Sequence, residues 1–192
     1  MTLAQSADRL LREATASGAI PGVVAMATTA DETIYQGAFG KARPADDAPI
    51  ALDTVFHIAS MTKAITGAGV MQLVEQGRIG LDQPAGEIIA QLGEPQVLDG
   101  FDGAGAPKLR PARSTITLRK LMTHTAGYAY DVWNADLARF YQATGLPAAR
   151  TGKLVALNAP LASDPGTRWE YGINIDWVGR IIETLSGQNL HD

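Results

Sequence analysis

The sequence predicts a mixed α/β protein in which a β-hairpin is flanked by helices and a mainly helical stretch carries the chemistry. Three observations lead there. Residues 23–29 and 33–39 are runs of small and β-branched residues separated by the short turn Ala30-Asp31-Glu32. Several longer stretches place apolar residues at the i, i+3, i+4, i+7 spacing of a buried helix face. With 192 residues and 46% hydrophobic composition, the chain can also bury a sizeable core.

The elements follow in order. Leu3 to Ser17 reads as an amphipathic helix with Leu3, Ala7, Leu10, Leu11 and Ala14 inward and Gly18 closing it. Pro21-Gly22 turns the chain into the hairpin, and the polar Lys41 to Ala51 stretch reads as loop. A helix beginning at or just before Ser60 buries Ala64, Ile65, Ala68, Met71 and Val74, and Gly77 stops it in the left-handed conformation. Leu81-Asp82-Gln83-Pro84 opens a short helix through Leu92, and the glycine- and proline-rich residues 95–113 read as an ordered surface loop. Thr115 to His124 is a capped helix with Leu118, Leu121 and Met122 inward, and a further helix covers about 134–144. After the Pro165-Gly166-Thr167 turn, a last helix from Ile175 buries Val178, Ile181, Ile182 and Leu185 and ends at Ser186-Gly187.

Composition excludes several classes of function. Sixteen basic against twenty acidic residues give a net charge of −4 with no basic stripe, which argues against nucleic acid as a partner. Without cysteine there is neither a disulfide framework nor thiolate chemistry. The opening M-T-L-A-Q-S-A-D-R-L has no basic segment followed by an apolar one, so no signal peptide is expected. No apolar run approaches the ~18 residues a membrane span needs, so no membrane partner and a cytoplasmic location are expected.

The chemistry centres on Ser60-Met61-Thr62-Lys63. Residues three apart share a helix face, so Ser60 Oγ and Lys63 Nζ can meet. The positive end of the helix dipole and burial are both expected to lower the lysine's pKa, so that a neutral amine could take the serine's proton. With six serines and five lysines, chance supplies about 0.16 such matches, so the motif needs its flanks to decide. Tyr171, between the P-G-T-x-W-E turn and a helix, either shuttles a proton beside a lysine ammonium or simply plugs the turn. The three histidines offer no Ser-His-Asp geometry: His57 is too close to Ser60 in sequence, His191 is in the tail, and His124 is expected to cap carbonyls at a helix end. No zinc spacing is present, and Asp99 with Asp102 lacks the glutamate a calcium loop requires.

Five stretches in order resemble the serine β-lactamase and penicillin-binding-protein superfamily, most of all its family VIII carboxylesterases. They are D-T-V-F-H-I-A-S-M-T-K (53–63), L-V-E-Q-G-R-I-G-L-D (73–82), I-T-L-R-K-L-M-T-H-T-A-G (116–127), P-L-A-S-D-P-G-T-R-W-E-Y-G (160–172) and D-W-V-G-R-I-I-E-T-L-S-G (176–187). The resemblance implies an antiparallel sheet flanked by helices, with a helical subdomain over about 60–170. Residues 1–52 would be the helix and first hairpin, 53–175 the mainly helical part with the active-site motifs, and 176–192 the start of the return to the sheet.

By the same resemblance Ser60 is the acylated nucleophile, Lys63 its base and Tyr171 the tyrosine of the second motif, with no cofactor and no metal. The backbone N–H of Ser60 would be one oxyanion donor. Tyr128, Tyr130 and Trp133 would line the substrate pocket, although an ordinary core role stands equally open for them. The lactamase-type second motif is Tyr-x-Asn; here Ile173 holds the Asn position and Asn174 follows it, which argues for ester rather than β-lactam substrates. A β-lactam-binding or peptidase activity, and a catalytically incomplete fragment, are the alternatives. Family domains run to roughly twice this length, so this chain is expected to be an N-terminal half. Its open sheet face would be covered by self-association, by a C-terminal partner chain, or by the rest of a longer parent.

Overall fold

The computed structural model describes residues 1–45 and 47–191, which divide into two compact units, Met1–Ile58 and a second from Ala59 onward. In the first unit, helix α1 (Leu3–Ala16) starts in a capping box. Thr2 Oγ1 accepts from the Gln5 amide at 3.2 Å and Gln5 Oε1 accepts from the Thr2 amide at 2.9 Å, which satisfies two orphan helix-end donors. Strands β1 (Gly22–Thr28) and β2 (Thr33–Gly40) pair antiparallel from Gly22–Gly40 to Thr28–Thr33. The connecting turn is held by Thr29 Oγ1, which accepts from the amides of Asp31 and Glu32 at 3.2 and 3.1 Å.

Helix α1 lies on β2. Tyr35 donates its hydroxyl to Asp8 at 2.9 Å, and the Arg12 guanidinium sits 4.7 Å above the Phe39 ring. Of the expected inward face, Ala7, Leu11 and Ala14 are half-buried while Leu3 and Leu10 are exposed. A two-stranded sheet is too narrow to cover a whole helix face.

The second unit is built on helices α2 (Thr62–Glu75) and α5 (Asn174–Ser186), which pack on each other. Short α3 (Leu118–Met122) packs against α5, and α4 (Ala135–Thr144) lies against the second hairpin. Val70, Leu92, Ile116, Leu118, Leu121, Leu161, Val178 and Ile181 form the centre of its core. Helix α2 begins at Thr62, preceded by a 3-10 turn over Ala59–Met61, and Gly77 stops its C-terminal end at φ +69°. The helix buries Thr66, Val70 and Leu73; the expected Ala64, Ile65, Ala68 and Met71 are exposed instead. Apolar residues surround this helix on every side, so sequence periodicity alone does not select its inner face.

Three further expectations are corrected. Residues 81–92 form two 3-10 turns (Ala85–Glu87 and Ala90–Leu92) rather than a helix, because the Ala85 amide is drawn to Ile116 O at 2.8 Å and a bridge joins Pro84 to Thr117. Residues 95–113 are not a surface loop but a second antiparallel hairpin, β3 (Gln96–Phe101) and β4 (Pro107–Pro111). Val97 is buried, and β3 exchanges backbone bonds of 2.8 Å with Leu161. Asp102 is its turn residue: Oδ1 accepts from the amides of Ala104 and Ala106 at 2.9 and 2.8 Å. The predicted 115–124 helix shrinks to α3, with Thr117 as its cap and residues 115–117 extended. Helix α4 starts one residue after Asn134, whose Oδ1 accepts from Leu137 N at 3.0 Å, and α5 begins one residue before its expected start. Among the described residues no helix is long and apolar enough to cross a membrane.

Candidate active site

Ala59 holds φ +44°, a left-handed conformation that alanine rarely adopts, and thereby turns Ser60 out at the head of α2. The 3-10 turn then leads into the helix, and Lys63 Nζ donates to Ser60 Oγ at 3.3 Å. The same ammonium lies 5.0 Å from the centre of the Tyr171 ring and 6.0 Å from that of Tyr130.

Tyr171 reaches that position because the segment before α5 is tied down from both sides. Thr167 closes the turn onto Asp164 O, with its hydroxyl at 2.7 Å, and Gly166, at φ +90°, donates to Thr125 O at 2.7 Å. Asp164 is gripped by the Arg110 guanidinium at 3.0 and 2.8 Å and by the Arg113 amide at 2.9 Å. Nearer the ring, Glu170 N donates to His124 O at 2.8 Å and Tyr130 N donates to Tyr171 O at 3.1 Å. Gly172 has no room for a side chain: a Cβ there would stand 2.5 Å from Ala129 Cα and from Tyr128 O.

The electrostatics run against the lowered pKa expected for the lysine. Burial does press the Lys63 ammonium towards neutrality, but its hydrogen bond to Tyr171 and the charges of Tyr130, Tyr171 and Asp176 outweigh it, so its pKa rises. Tyr171 moves the other way: the Ser60 hydroxyl first, then Lys63, overcome desolvation and lower the phenol's pKa. The two groups face each other and titrate as a pair. Asp176 opens to solvent at the cleft mouth, yet the surrounding wall desolvates its carboxyl and raises its pKa against the pull of its own amide and of Lys63.

Two cavities flank this array. One of about 360 Å³ lies on the lysine side, where Ala59, Thr62, Lys63, Thr66, Ile175 and Asp176 contribute to its wall. The other, about 390 Å³, lies on the tyrosine side between Ala129, Trp133, Trp169, Glu170 and Tyr171. Of the three aromatics expected at the pocket, Tyr130 meets Tyr171 edge-on at 5.6 Å and the exposed Trp133 lies 5.5 Å from it. Tyr128 does not join them; it is buried in the core against Trp177, ring centres 6.2 Å apart.

Sequence reasoning passed over Trp169, which stacks on Tyr171 at 6.2 Å and 17°. Its i, i+2 spacing from Tyr171, which puts side chains on one face of an extended segment, was the available signal. His124 does not cap carbonyls with its ring, as expected, but tilts against Tyr171 at 4.6 Å and meets Asn174 Nδ2 through Nδ1 at 3.1 Å. Ile173, at the position where the lactamase-type motif has Asn, is a core residue 1% exposed, and Asn174 beside it is fully buried.

This mixed α/β scaffold is that of the β-lactamase-fold serine hydrolases and acyltransferases. The chain belongs to the beta-lactamase family, whose description matches residues 7–192. It is 37% identical over 191 residues, 95% of this chain and 46% of the relative, to the monacolin J acid methylbutanoyltransferase of Aspergillus terreus. To the lovastatin esterase of Penicillium rubens it is 34% identical over 188 residues, 95% of this chain and 47% of that one. The unliganded simvastatin synthase structure from Aspergillus terreus superimposes with a TM-score of 0.85 at 35% identity, covering 95% of this chain and 48% of that one. The chain thus spans about half the length of the curated relatives it matches.

Proposed function

We propose that this chain carries the nucleophile and the base of a serine acyl-transfer enzyme acting on small carboxylic esters. Ser60 attacks the ester carbonyl while the Tyr171 phenolate accepts its proton, and Lys63 stays an ammonium that holds both oxygens. The Oγ–acyl bond forms, the ester C–O bond breaks, and the departing alcohol takes the proton back from Tyr171. Water then removes the acyl group, or a second alcohol accepts it. The observation that carries the reading is Lys63 Nζ at 3.3 Å from Ser60 Oγ with the Tyr171 ring 5.0 Å away. That the relatives are named both esterase and acyltransferase supports either acceptor.

Because Tyr171 handles the alcohol oxygen, the Trp133–Trp169 cavity beside it is the alcohol subsite and the lysine-side cavity takes the acyl chain. Ile173 in the core, where the lactamase-type motif has Asn, favours esters over β-lactams. The exposed Ile65 and Met71 of α2, and Met26 and Ile34 of the first hairpin, are covered in this reading by further polypeptide, as the greater length of the relatives supports.

The test is to treat the protein with a fluorophosphonate, map the mass adduct, and compare p-nitrophenyl butyrate with nitrocefin. A single adduct on Ser60, ester turnover exceeding β-lactam turnover, and loss of on the order of 10⁴-fold in Ser60→Ala are expected. An adduct on another residue, or Ser60→Ala within tenfold of the parent, overturns the assignment. Light scattering that finds a well-folded monomer with relative-like turnover overturns the idea of a missing cover.

A further inference from the structure

We infer that His124 and Asn174 form a neutral clamp that positions the Tyr171 ring, with His124 held as the Nε2–H tautomer. The inference rests on the proposed role of Tyr171, but its geometry is independent of it. Asn174 is fully buried at the first residue of α5, and its Nδ2 lies 3.1 Å from Tyr128 O, 3.3 Å from Glu170 O and 3.1 Å from His124 Nδ1. Two of these partners are backbone carbonyls, which only accept. The amide must therefore present its NH2 end, since the opposite orientation sets Oδ1 against two carbonyl oxygens. Among the described residues Oδ1 has no protein partner, a cost tolerated for the sake of the donor end. With two hydrogens facing three acceptors, the imidazole Nδ1 has to be an acceptor as well. A proton on Nδ1 would point at the NH2 group, so the ring stays neutral.

The ring so fixed tilts against Tyr171, centres 4.6 Å apart, and Trp169, Trp133 and Tyr130 are the phenol's other aromatic neighbours. Its backbone is committed too. His124 sits at φ +56°, a left-handed conformation that His tolerates better than most residues, and its carbonyl accepts from Glu170 N next to Tyr171. Burial, and secondarily the Lys63 charge, push the imidazole's pKa down, in line with a neutral ring. One residue thus contacts the phenol through its ring and the segment bearing it through its carbonyl, and Asn174 locks the ring's rotation. A misplacement of about 1 Å at a reacting group costs on the order of a hundredfold in rate, so such a clamp acts on chemistry without touching substrate.

Two substitutions separate the ring from the rest. His124→Asn keeps a residue suited to the left-handed backbone but removes the ring; His124→Phe keeps a ring, and Asn174 Nδ2 remains satisfied by the two carbonyls. Nitrogen-15 NMR of the parent should show His124 with Nδ1 unprotonated and a midpoint below 6.5. In His124→Asn the Tyr171 midpoint, followed by carbon-13 at the phenol Cζ, should drift back up towards 10 and fluorophosphonate labelling of Ser60 should slow by about ten- to a hundredfold, with the melting temperature kept. His124→Phe keeps a ring but loses the Nδ1 that Asn174 holds, so labelling should fall between the parent and His124→Asn, and parental labelling in it would show that Asn174 contributes nothing and overturn the clamp. A protonated Nδ1, or a His124→Asn protein whose Tyr171 midpoint does not move, overturns the clamp. A parent that shows the NMR behaviour but never labels at Ser60 upholds the clamp and sinks the proposed function instead.

Discussion

Helix α5 buries Asn174, Ile175, Trp177, Val178, Gly179 and Ile181, a continuous stripe, whereas α2, packed beside it, buries only Thr66, Val70 and Leu73 and leaves Ile65 65% exposed. Both helices start at the candidate site. The side of the proposed base, Tyr171 with its loop and the first turn of α5, is over-determined by contacts within this chain. The side of the proposed nucleophile, Ser60, rests on a helix with a second apolar face exposed. The placement of Tyr171 is thus fixed by these residues, while the helix that carries Ser60 leaves an apolar face exposed.

The comparison breaks most visibly at Lys63, the residue that joins the two sides. In the proposed active form Tyr171 has lost its proton and Lys63 has kept its own. Activity therefore rises with pH through the tyrosine's midpoint, below 10, and falls as the lysine deprotonates above 10.5. Lys63→Met should cost on the order of 10³-fold in Ser60 labelling and move the acid limb upward, because the phenolate loses its cation. An unchanged acid limb in that variant disproves the pairing. Within the helices, Ile181→Ala should lower stability by about 2–5 kcal/mol, as deletion from a filled core does. Ile65→Ala on this chain should change it by about 0.5 kcal/mol or less. Urea unfolding measures both, and equal costs would erase the distinction between α5 and α2.

Gly172→Ala tests the base side by overpacking. Its Cβ at 2.5 Å from backbone on two neighbours should cost about 1–3 kcal/mol and displace Tyr171, seen as a lower melting temperature together with slower Ser60 labelling. A pH-dependent effect belongs to Asp164, whose carboxyl the Arg110 guanidinium and then the Arg113 amide hold at about 2. A depressed carboxylate pKa adds stability above the ordinary value of 3.8, and that stability is lost as pH falls through about 2. Asp164→Asn should melt earlier at neutral pH and lose less than the parent does between pH 4 and 2 (~the window set by the shift). Parallel melting curves down to pH 2 argue against it.

What could be read from residues alone follows from locality. Ser60-x-x-Lys63 lies within one helical turn, the 23–39 hairpin has a polar turn between β-prone runs, and α4 announces itself through Asn134. The second hairpin hid because its pairing depends on Leu161, some sixty residues away, and because Pro107 and Pro111 sit at strand ends where a missing N–H does no harm. The inner face of α2 was misread because an all-round apolar helix carries no directional signal. His124 was expected to cap carbonyls and Trp169 was passed over, since their places beside Tyr171 arise only when α3, the Tyr171 segment and α5 meet. The lysine's charge state needed the same assembly: its neighbours Tyr130, Tyr171 and Asp176 are all distant in sequence.

The grip of Arg110 and Arg113 on Asp164 has a practical side for anyone reshaping this protein. The excursion from 95 to 113, rich in glycine and proline and remote in sequence from Ser60, Lys63 and Tyr171, looks like the stretch to trim in a minimised scaffold. It is in fact the bracket on which the tyrosine's turn hangs, so a loop-shortening design that removes it would leave Ser60 and Lys63 untouched and still lose the placement of Tyr171.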